Sequence, residues 1–265
     1  MTSATDNRVI AVRYAERQTR LSEVYYGWHV YGEPDAPIPM TYYFWIVQPP
    51  SGPPIMIDTG FDPAFAAGLG RTALCPPAAA LEQLGVDPAA VEQVVVTHLH
   101  YDHIGNLEQF VNAQFVVARK ELDFWTTSVA LRRHFAHHTH PEAVEWLADA
   151  AQRGRVVLVD DEVAIAPGVV GTIVGGHSPG QMVVSVDTAD GGVLLASDAA
   201  HYYDEVAKDR PFAVVADLAE VYTAFDTVRT LTAGGRDFVP AHDALVMSRY
   251  PPVDGVQAGL AVQIA

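Results

Sequence analysis

Short runs of apolar and β-branched residues, each bounded by glycine, proline or aspartate, recur along the chain and predict β-strands. The predicted strands cover residues 9–14, 42–47, 55–57, 93–97, 114–118, 156–159, 169–174, 182–187 and 193–196. Helical spacing predicts helices at 61–70, 77–84, 104–110, 120–153 with a break at Pro141, and 216–233. Strands and helices occur twice in similar order. This favours an α/β fold, a four-layer αβ/βα sandwich with a site between its halves, although a doubly wound sheet would also fit.

Composition adds the expectation of one globular domain over residues 1–265. Hydrophobic residues make up 49% of the chain and charged residues 18%, and no repeat or long linker divides it. Apolar stretches are broken well before the roughly 18 residues of a membrane span, and the first residues do not resemble a secretory signal. We therefore expect a soluble, cytoplasmic protein. The single cysteine, Cys75, fits a reducing compartment and is interpreted as a buried or loop thiol.

Charge restricts the classes of partner. The chain has 32 acidic and 16 basic residues, a formal net charge of −16, and no cluster of lysines and arginines. Such a surface repels phosphate backbones, so nucleic acid is not an expected partner. The negative net charge does not exclude a small molecule as substrate.

The clearest chemical signal is His98-x-His100-x-Asp102-His103, directly after the apolar run 94–96. Residues two apart in an extended segment point to the same side, so His98 and His100 can bind one ion. Asp102 and His103 can then face a neighbouring position. Imidazole nitrogen with carboxylate oxygen suits zinc, and also iron, manganese or cobalt.

Three later residues are further candidate ligands. His177 lies in the glycine-flanked segment Gly175-Gly176-His177-Ser178-Pro179-Gly180, Asp198 follows a predicted strand, and His242 follows Phe238-Val239-Pro240-Ala241. A lone histidine or aspartate at such a position is more often structural. Their order along the chain is what makes them informative.

That order resembles the dinuclear metallo-β-lactamase superfamily over residues 42–243. The resemblance implies two divalent ions per chain, with zinc the first expectation. It implies that His98, His100 and His177 hold one ion, that Asp102, His103 and His242 hold the other, and that Asp198 bridges both. Asp58, in Ile57-Asp58-Thr59-Gly60, resembles the family's strand-end aspartate, and we expect it to support the site structurally.

Within the superfamily, the segments 102–106, 197–200 and 240–243 resemble N-acyl-homoserine-lactone lactonases and related lactonases. The resemblance implies that a metal-bridging hydroxide opens a lactone ring and that Asp102 carries a proton to the leaving alkoxide. Those enzymes commonly have a tyrosine three residues after the bridging aspartate, where this chain has His201. His201 is predicted to donate to the substrate carbonyl, with Tyr202, Tyr203 and a plain loop histidine left as alternatives.

Two other clusters have two interpretations each. The aromatic residues in 25–31 and 42–45 suit core or dimer packing, or a substrate wall, so a homodimer stays open. His134, His137, His138 and His140 suit a solvated cap helix better than a second metal site, because no carboxylate accompanies them.

Other reactions on the same fold remain alternatives. A glyoxalase II-like thioester hydrolase shares the metal motif, but only about twenty residues follow Asp243 and Arg249 is the one cation among them. The acidic charge disfavours a phosphodiesterase, and the complete ligand order disfavours a mononuclear iron dioxygenase. The leading prediction is a metal-dependent hydrolase acting on a lactone ester.

Overall fold

The computed structural model describes residues 6–265, and its first half forms a seven-stranded mixed sheet. The strand order is β12-β1-β2-β3-β4-β5-β6. The strands are β1 (Arg8–Arg20), β2 (Pro37–Gln48), β3 (Ile55–Ile57), β4 (Gln93–Val96), β5 (Gln114–Ala118), β6 (Val156–Val159) and, from the other end of the chain, β12 (Ala261–Gln263). Strands β3 to β6 are parallel to one another, so their carboxyl ends lie at one edge.

The second half forms a five-stranded sheet in the order β11-β10-β9-β8-β7. Its strands are β7 (Glu162–Ala166), β8 (Val169–Ile173), β9 (Met182–Val186), β10 (Val193–Ser197) and β11 (Asp237–Pro240). Strands β10 and β11 are parallel, whereas the other pairs are antiparallel. Strands β10 and β11 therefore also end at one common edge.

Helices cover the outer face of each sheet. They are α1 (Leu21–Val24), α2 (Pro63–Gly68), α3 (Pro77–Gln83), α4 (Arg119–Trp125), α5 (Arg133–Ala136), α6 (Pro141–Gln152), α7 (Tyr203–Lys208), α8 (Leu218–Thr232) and α9 (Val246–Arg249). Helices α3, α4 and α6 contact the larger sheet, and α8 contacts the smaller one. No helix among residues 6–265 is long and apolar enough to cross a membrane.

Alternation along β4 shows how the layers are built. Val94 and Val96 join the core between the larger sheet and its helices, whereas Val95 joins the core between the two sheets. Successive side chains of a strand point to opposite faces, so a run of three buried valines fits a strand covered on both sides. Val221 and Phe225 of α8 form a third core on the outer face of the smaller sheet. The predicted four-layer sandwich is confirmed.

Several predicted elements have different bounds. The helix expected at 104–110 is a single 3-10 turn, Leu107–Gln109, because the chain packs against backbone there: a β-carbon on Gly105 would lie 1.9 Å from Asp62 N. The region 120–153 contains three helices rather than two, with a loop from 126 to 132. Six elements among residues 6–265 were not predicted: strands β7, β11 and β12 and helices α1, α7 and α9, none of which has more than six residues.

Candidate metal centre

The four motif side chains lie where β4 ends. The chain leaves the strand after Val96, and the His103 N–H donates to the His100 carbonyl at 3.0 Å, which closes a tight turn. His98, His100, Asp102 and His103 are all buried. The turn therefore directs four metal-binding side chains into one buried region.

Neighbouring loops supply the remaining three side chains. His177 lies in the turn between β8 and β9, Asp198 follows β10, and His242 follows β11 closely. The carboxyl edges of the two sheets meet at this place, between the halves of the sandwich. Three groups have ligand atoms within 4.8 Å of one another: His98, His100, His177 and Asp198 in one, Asp102, His103 and His242 in a second, and Asp198, His201 and His242 in a third that overlaps both. The structure brings all seven predicted ligands together.

Asp198 lies between the first two groups. Its Oδ2 is 3.6 Å from His98 Nε2 and 3.3 Å from His177 Nε2. Its Oδ1 is 3.3 Å from His103 Nε2 and 3.2 Å from His242 Nε2. The two oxygens of one carboxylate thus face different groups, which is the arrangement that a bridging ligand needs.

Backbone carbonyls orient two of the rings. His177 Nδ1 donates to Val214 O at 2.9 Å, and His242 Nδ1 donates to Thr41 O at 2.7 Å. A carbonyl oxygen only accepts, so Nδ1 carries a proton in both rings, and in the neutral form of each ring the lone pair is on Nε2. The lone pairs point toward Asp198, as metal ligands require.

Asp58 orients a third ring, that of His103, through the ring nitrogen opposite Nε2. His103 Nδ1 lies 2.7 Å from Asp58 Oδ2, and Thr97 donates to the same carboxylate through its backbone N–H and its hydroxyl, both at 2.8 Å. Asp58 has φ 62°, and Ser197, just before the bridging position, has φ 46°. Residues other than glycine rarely adopt this left-handed region, and such strain is concentrated at functional sites. Asp58 thus has the supporting position expected from the sequence.

The unpaired buried atoms test whether the residues fit a metal ion. His98 Nε2, His103 Nε2, His242 Nε2 and Asp198 Oδ1 are buried and have no hydrogen-bond partner within residues 6–265. Buried polar atoms without partners are costly and rare in native proteins. Divalent cations would coordinate all four atoms, and the histidine–aspartate donor set suits them. The side chains fit divalent metal binding.

The pKa shifts at these ligands act in both directions. Burial opposes protonation of His103, but Asp198, Asp58 and Asp102 raise its pKa well above the usual histidine value, so a metal ion would displace a proton there. Burial lowers the pKa of His98 and of His100 well below the usual histidine value. Burial alone would raise the pKa of Asp198, but the surrounding imidazoles, led by His201 and His242, hold it well below its usual range. Unprotonated imidazoles and an ionised carboxylate are the forms that bind metals.

His201 lies directly beside the bridging position. Its Nε2 is 3.1 Å from Asp198 Oδ2, its Nδ1 is 3.4 Å from Glu205 Oε2, and its ring stacks on Phe212 at 3.6 Å between centroids. Burial opposes protonation of this ring, but Asp198 and Glu205 raise the pKa of His201 to about 9. His201 is 1% exposed, so it is not a solvated loop histidine.

The two tyrosines after His201 point elsewhere. The Tyr202 hydroxyl donates to Pro39 O at 3.1 Å, and the Tyr203 ring lies under the Arg249 guanidinium, 3.6 Å from its centroid. His201 lines the cavity at the metal centre, and neither tyrosine does. His201 is therefore the residue of the three that is placed to face a substrate.

Sequence reasoning missed Glu121, a fully buried carboxylate on α4. Its Oε1 accepts from Leu99 N at 2.8 Å, Trp125 Nε1 at 2.7 Å and Ser178 Oγ at 2.5 Å. Its Oε2 accepts from Gly180 N at 2.5 Å. One side chain thus ties the loop of His98 and His100 to the loop of His177. The available signal was an acidic residue on the apolar face of α4.

A cavity of about 170 Å³ opens onto the metal centre. Tyr42 is the aromatic-cluster residue that lines it, whereas Tyr25 and Trp28 stack on each other away from it. His137 and His138 also line the cavity. Within the described residues, no histidine between 134 and 140 belongs to a group with metal-binding geometry. His137 and His138 are therefore part of the wall of the main site, whereas His134 and His140 do not line it.

The comparisons with known proteins agree with this site. The family model of the metallo-beta-lactamase superfamily matches residues 39–242, which include every candidate ligand. The chain belongs to the metallo-beta-lactamase superfamily. The predicted family and fold are confirmed, and the His/Asp groups fit divalent metal binding.

Relatives within the superfamily are lactonases. The chain is 30% identical over 175 residues to N-acyl homoserine lactonase AttM of Azorhizobium caulinodans, a match that covers 62% of this chain and 63% of AttM. It is 34% identical over 132 residues to N-acyl homoserine lactonase AiiB of Agrobacterium fabrum, which covers 46% and 45% of the two chains. The chain thus spans less than two thirds of the length of each relative.

A solved N-acyl homoserine lactone hydrolase has the same fold. Its structure, with the product N-hexanoyl-L-homoserine bound at the catalytic metal centre, superposes with a TM-score of 0.75. The alignment covers 93% of this chain and 97% of the other, at 20% identity. At that identity the likeness establishes the fold.

Proposed function

We propose that this protein is a lactonase that uses two divalent metal ions, most readily Zn²⁺, to hydrolyse the ester bond of a small lactone. The observation that carries the proposal is Asp198, whose two carboxylate oxygens face separate groups of buried ligands. Two groups joined by one carboxylate suit two ions rather than one. The lactonase relatives support the choice of a cyclic ester as substrate.

Two bound cations would lower the pKa of a water molecule and polarise the lactone carbonyl, as in other hydrolytic sites with two metal ions. Under this proposal the ligands divide as the family resemblance implies: His98, His100 and His177 would hold one ion, Asp102, His103 and His242 would hold the other, and Asp198 would contact both. Hydrogen bonds behind the rings keep these ligands in place when substrate enters.

Asp102 is proposed as the proton carrier. It lines the cavity, and its Oδ2 is 3.9 Å from His103 Nε2 and 3.8 Å from His242 Nε2. Tyr14 donates to the Asp102 backbone oxygen at 2.8 Å and holds the loop in place. A carboxylate at this position can take the proton of the attacking water and pass it to the alkoxide of the opened ring.

His201 is proposed as a donor to the substrate carbonyl. Its ring is held between Phe212 and Glu205, and its Nε2 lies 3.1 Å from Asp198 Oδ2 without forming a hydrogen bond within residues 6–265. A donor that is already oriented stabilises the charge that develops on the carbonyl oxygen in the transition state. The role matches that of the tyrosine which related lactonases commonly carry at this position.

A substrate panel tests the proposal. The metal-loaded protein is assayed on an N-acyl homoserine lactone, an unsubstituted γ-lactone, a glutathione thioester and a phosphodiester. Ring opening that requires metal, at rates well above those of the other two classes, is the expected result. Faster cleavage of the thioester or the phosphodiester would refute it. Three other expectations from the sequence stay predictions: a cytoplasmic location, one domain over residues 1–265, and a homodimer.

A further inference from the structure

Two arginines line the cavity at the metal centre. Arg17 Nε donates to the Tyr42 hydroxyl at 3.1 Å, and the Tyr42 ring lies 5.1 Å from the His242 ring. Arg71 follows α2 and contacts the same cavity. Two guanidinium groups thus line the cavity, and Arg17 lies on the side of Tyr42 and His242.

Neither arginine has a carboxylate partner among residues 6–265. Seven other arginines in the described chain lie within 4.0 Å of a carboxylate oxygen: Arg13, Arg20, Arg119, Arg153, Arg210, Arg229 and Arg236. Arginines outside the cavity can also lack such a partner among residues 6–265, as Arg8, Arg132, Arg133, Arg155 and Arg249 do, but none of these five lines the cavity at the metal centre. The two in the cavity keep their positive charge available to a ligand.

Both guanidinium groups also have N–H donors that are not paired with a strong acceptor. Arg71 Nη1 donates to Leu69 O at 3.1 Å, but its Nε is buried without a partner among residues 6–265. Arg17 Nη2 faces Met40 Sδ at 3.3 Å, and a thioether sulfur is a weak acceptor. Guanidinium has five donors in a planar fork that matches the two oxygens of a carboxylate.

The rest of the cavity lacks a competing anion and a long apolar wall. Asp102 and Asp198 are its carboxylates, and both belong to the ligand groups. Its apolar side chains are Met40, Leu69, Phe212 and Val214. At about 170 Å³, the cavity is also smaller than the 300 Å³ or more of a site for a drug-sized ligand.

We propose that the substrate is a compact lactone with a pendant carboxylate, which Arg17 and Arg71 bind while the metal centre takes the ring ester. The inference rests on the proposed function for the reaction, but the arginine site is defined by binding. It departs from the neutral acyl chain that the names of the lactonase relatives imply. The arginines select the substrate, and the metal ligands act on it.

Paired substrates test this selection. The metal-loaded protein is assayed on the γ-lactone of 2-hydroxyglutaric acid, which has a pendant carboxylate, and on its carboxamide, which is neutral. We expect kcat/KM for the carboxylate to exceed that for the carboxamide by about tenfold or more, mainly through KM. Arg17→Gln and Arg71→Gln should each lower kcat/KM for the carboxylate about tenfold and leave the carboxamide within about twofold. Arg153→Gln, at an exposed ion pair on α6, is the matched control and should change neither.

Calorimetry with a ring that cannot be hydrolysed gives a second readout. Tetrahydrofuran-2-carboxylate should bind the metal-loaded protein about tenfold more tightly than tetrahydrofuran-2-carboxamide, and both arginine variants should lose this preference. Because a carboxylate can also bind a metal ion directly, a preference that persists in both variants would overturn the inference. Arg17→Lys should restore part of it, since charge returns without the fork.

The results separate this inference from the proposed function. A wild-type protein that binds or opens the carboxamide as well as the carboxylate overturns the arginine site, even when N-acyl lactones are hydrolysed. Equal losses for both substrates in the arginine variants also overturn it. If no lactone is opened, yet arginine-dependent carboxylate binding is measured, the proposed reaction fails and the anion site stands.

Discussion

Glu121 is predicted to hold the two metal-binding loops together, although it contacts no candidate ligand side chain through a hydrogen bond. Four donors reach this buried carboxylate, two from backbone N–H groups and two from side chains. Burial raises the pKa of Glu121, and the four donors oppose the rise. The carboxylate is the common acceptor for groups on three different segments.

The magnitude follows from these four bonds. Glu121→Gln keeps the shape of the side chain and one acceptor oxygen, but its NH2 group then faces a donor such as Gly180 N–H. A hydrogen bond to a charged acceptor contributes about 1.5–3 kcal/mol, so this variant should lose about 2–3 kcal/mol of unfolding free energy. Glu121→Ala leaves all four donors unpaired and should lose about 4 kcal/mol or more.

Two measurements check this prediction. Denaturant unfolding of the metal-free protein gives the change in free energy. Competition with a chromophoric chelator gives metal affinity, which should fall about 10- to 100-fold, because the loops of His98, His100 and His177 are no longer fixed to each other. Glu145→Gln, at an exposed position on α6, is the control and should stay within about 0.5 kcal/mol. Unfolding and affinity at wild-type values in Glu121→Gln would refute the reasoning.

Three further predictions concern the site itself. His242→Ala should abolish lactone hydrolysis while circular dichroism stays that of the wild type, because the ligand lies after β11 and not in a core; normal turnover would remove His242 from the site. His201→Phe should lower kcat about 10²-fold with metal content unchanged, and His201→Tyr should restore part of it; an unchanged kcat would leave the ring with a packing role. Burial, with His137 and His177, lowers the pKa of His138 to about 4, against about 6.5 when unfolded, so the folded state binds fewer protons. Stability from His138 is therefore present above pH 6.5 and lost as pH falls toward 4. In acid titrations of the metal-free protein, His138→Asn should unfold at a lower pH than the wild type. An unchanged midpoint of acid unfolding would contradict this.

The ligands could be predicted from the sequence because their positions are local. Four of them occur within six residues directly after β4, and a strand end fixes where such a loop points. Asp198 and His242 follow strands in the same way. Their common order along the chain identified a family whose fold then placed them, and a site between the two halves of the sandwich followed from that.

The supporting contacts could not be predicted, because they join segments that are distant along the chain. Glu121 reaches Ser178 and Gly180 across more than fifty residues, and its place on the apolar face of α4 does not identify these partners. Arg17 lies in a strand and Arg71 in a loop, so only the folded chain shows that both contact one cavity. The helix expected at 104–110 failed for a similar reason, since backbone packing at Gly105 overrides helical spacing.

The most direct test of the central claim is a metal titration of catalysis. Metal-free protein is loaded stepwise with Zn²⁺, and the initial rate of lactone hydrolysis is measured at each ratio of metal to chain. The account predicts a rate that rises until two ions are bound per chain and then stays level. A full rate at one ion per chain, or no lactone hydrolysis at two, would contradict it.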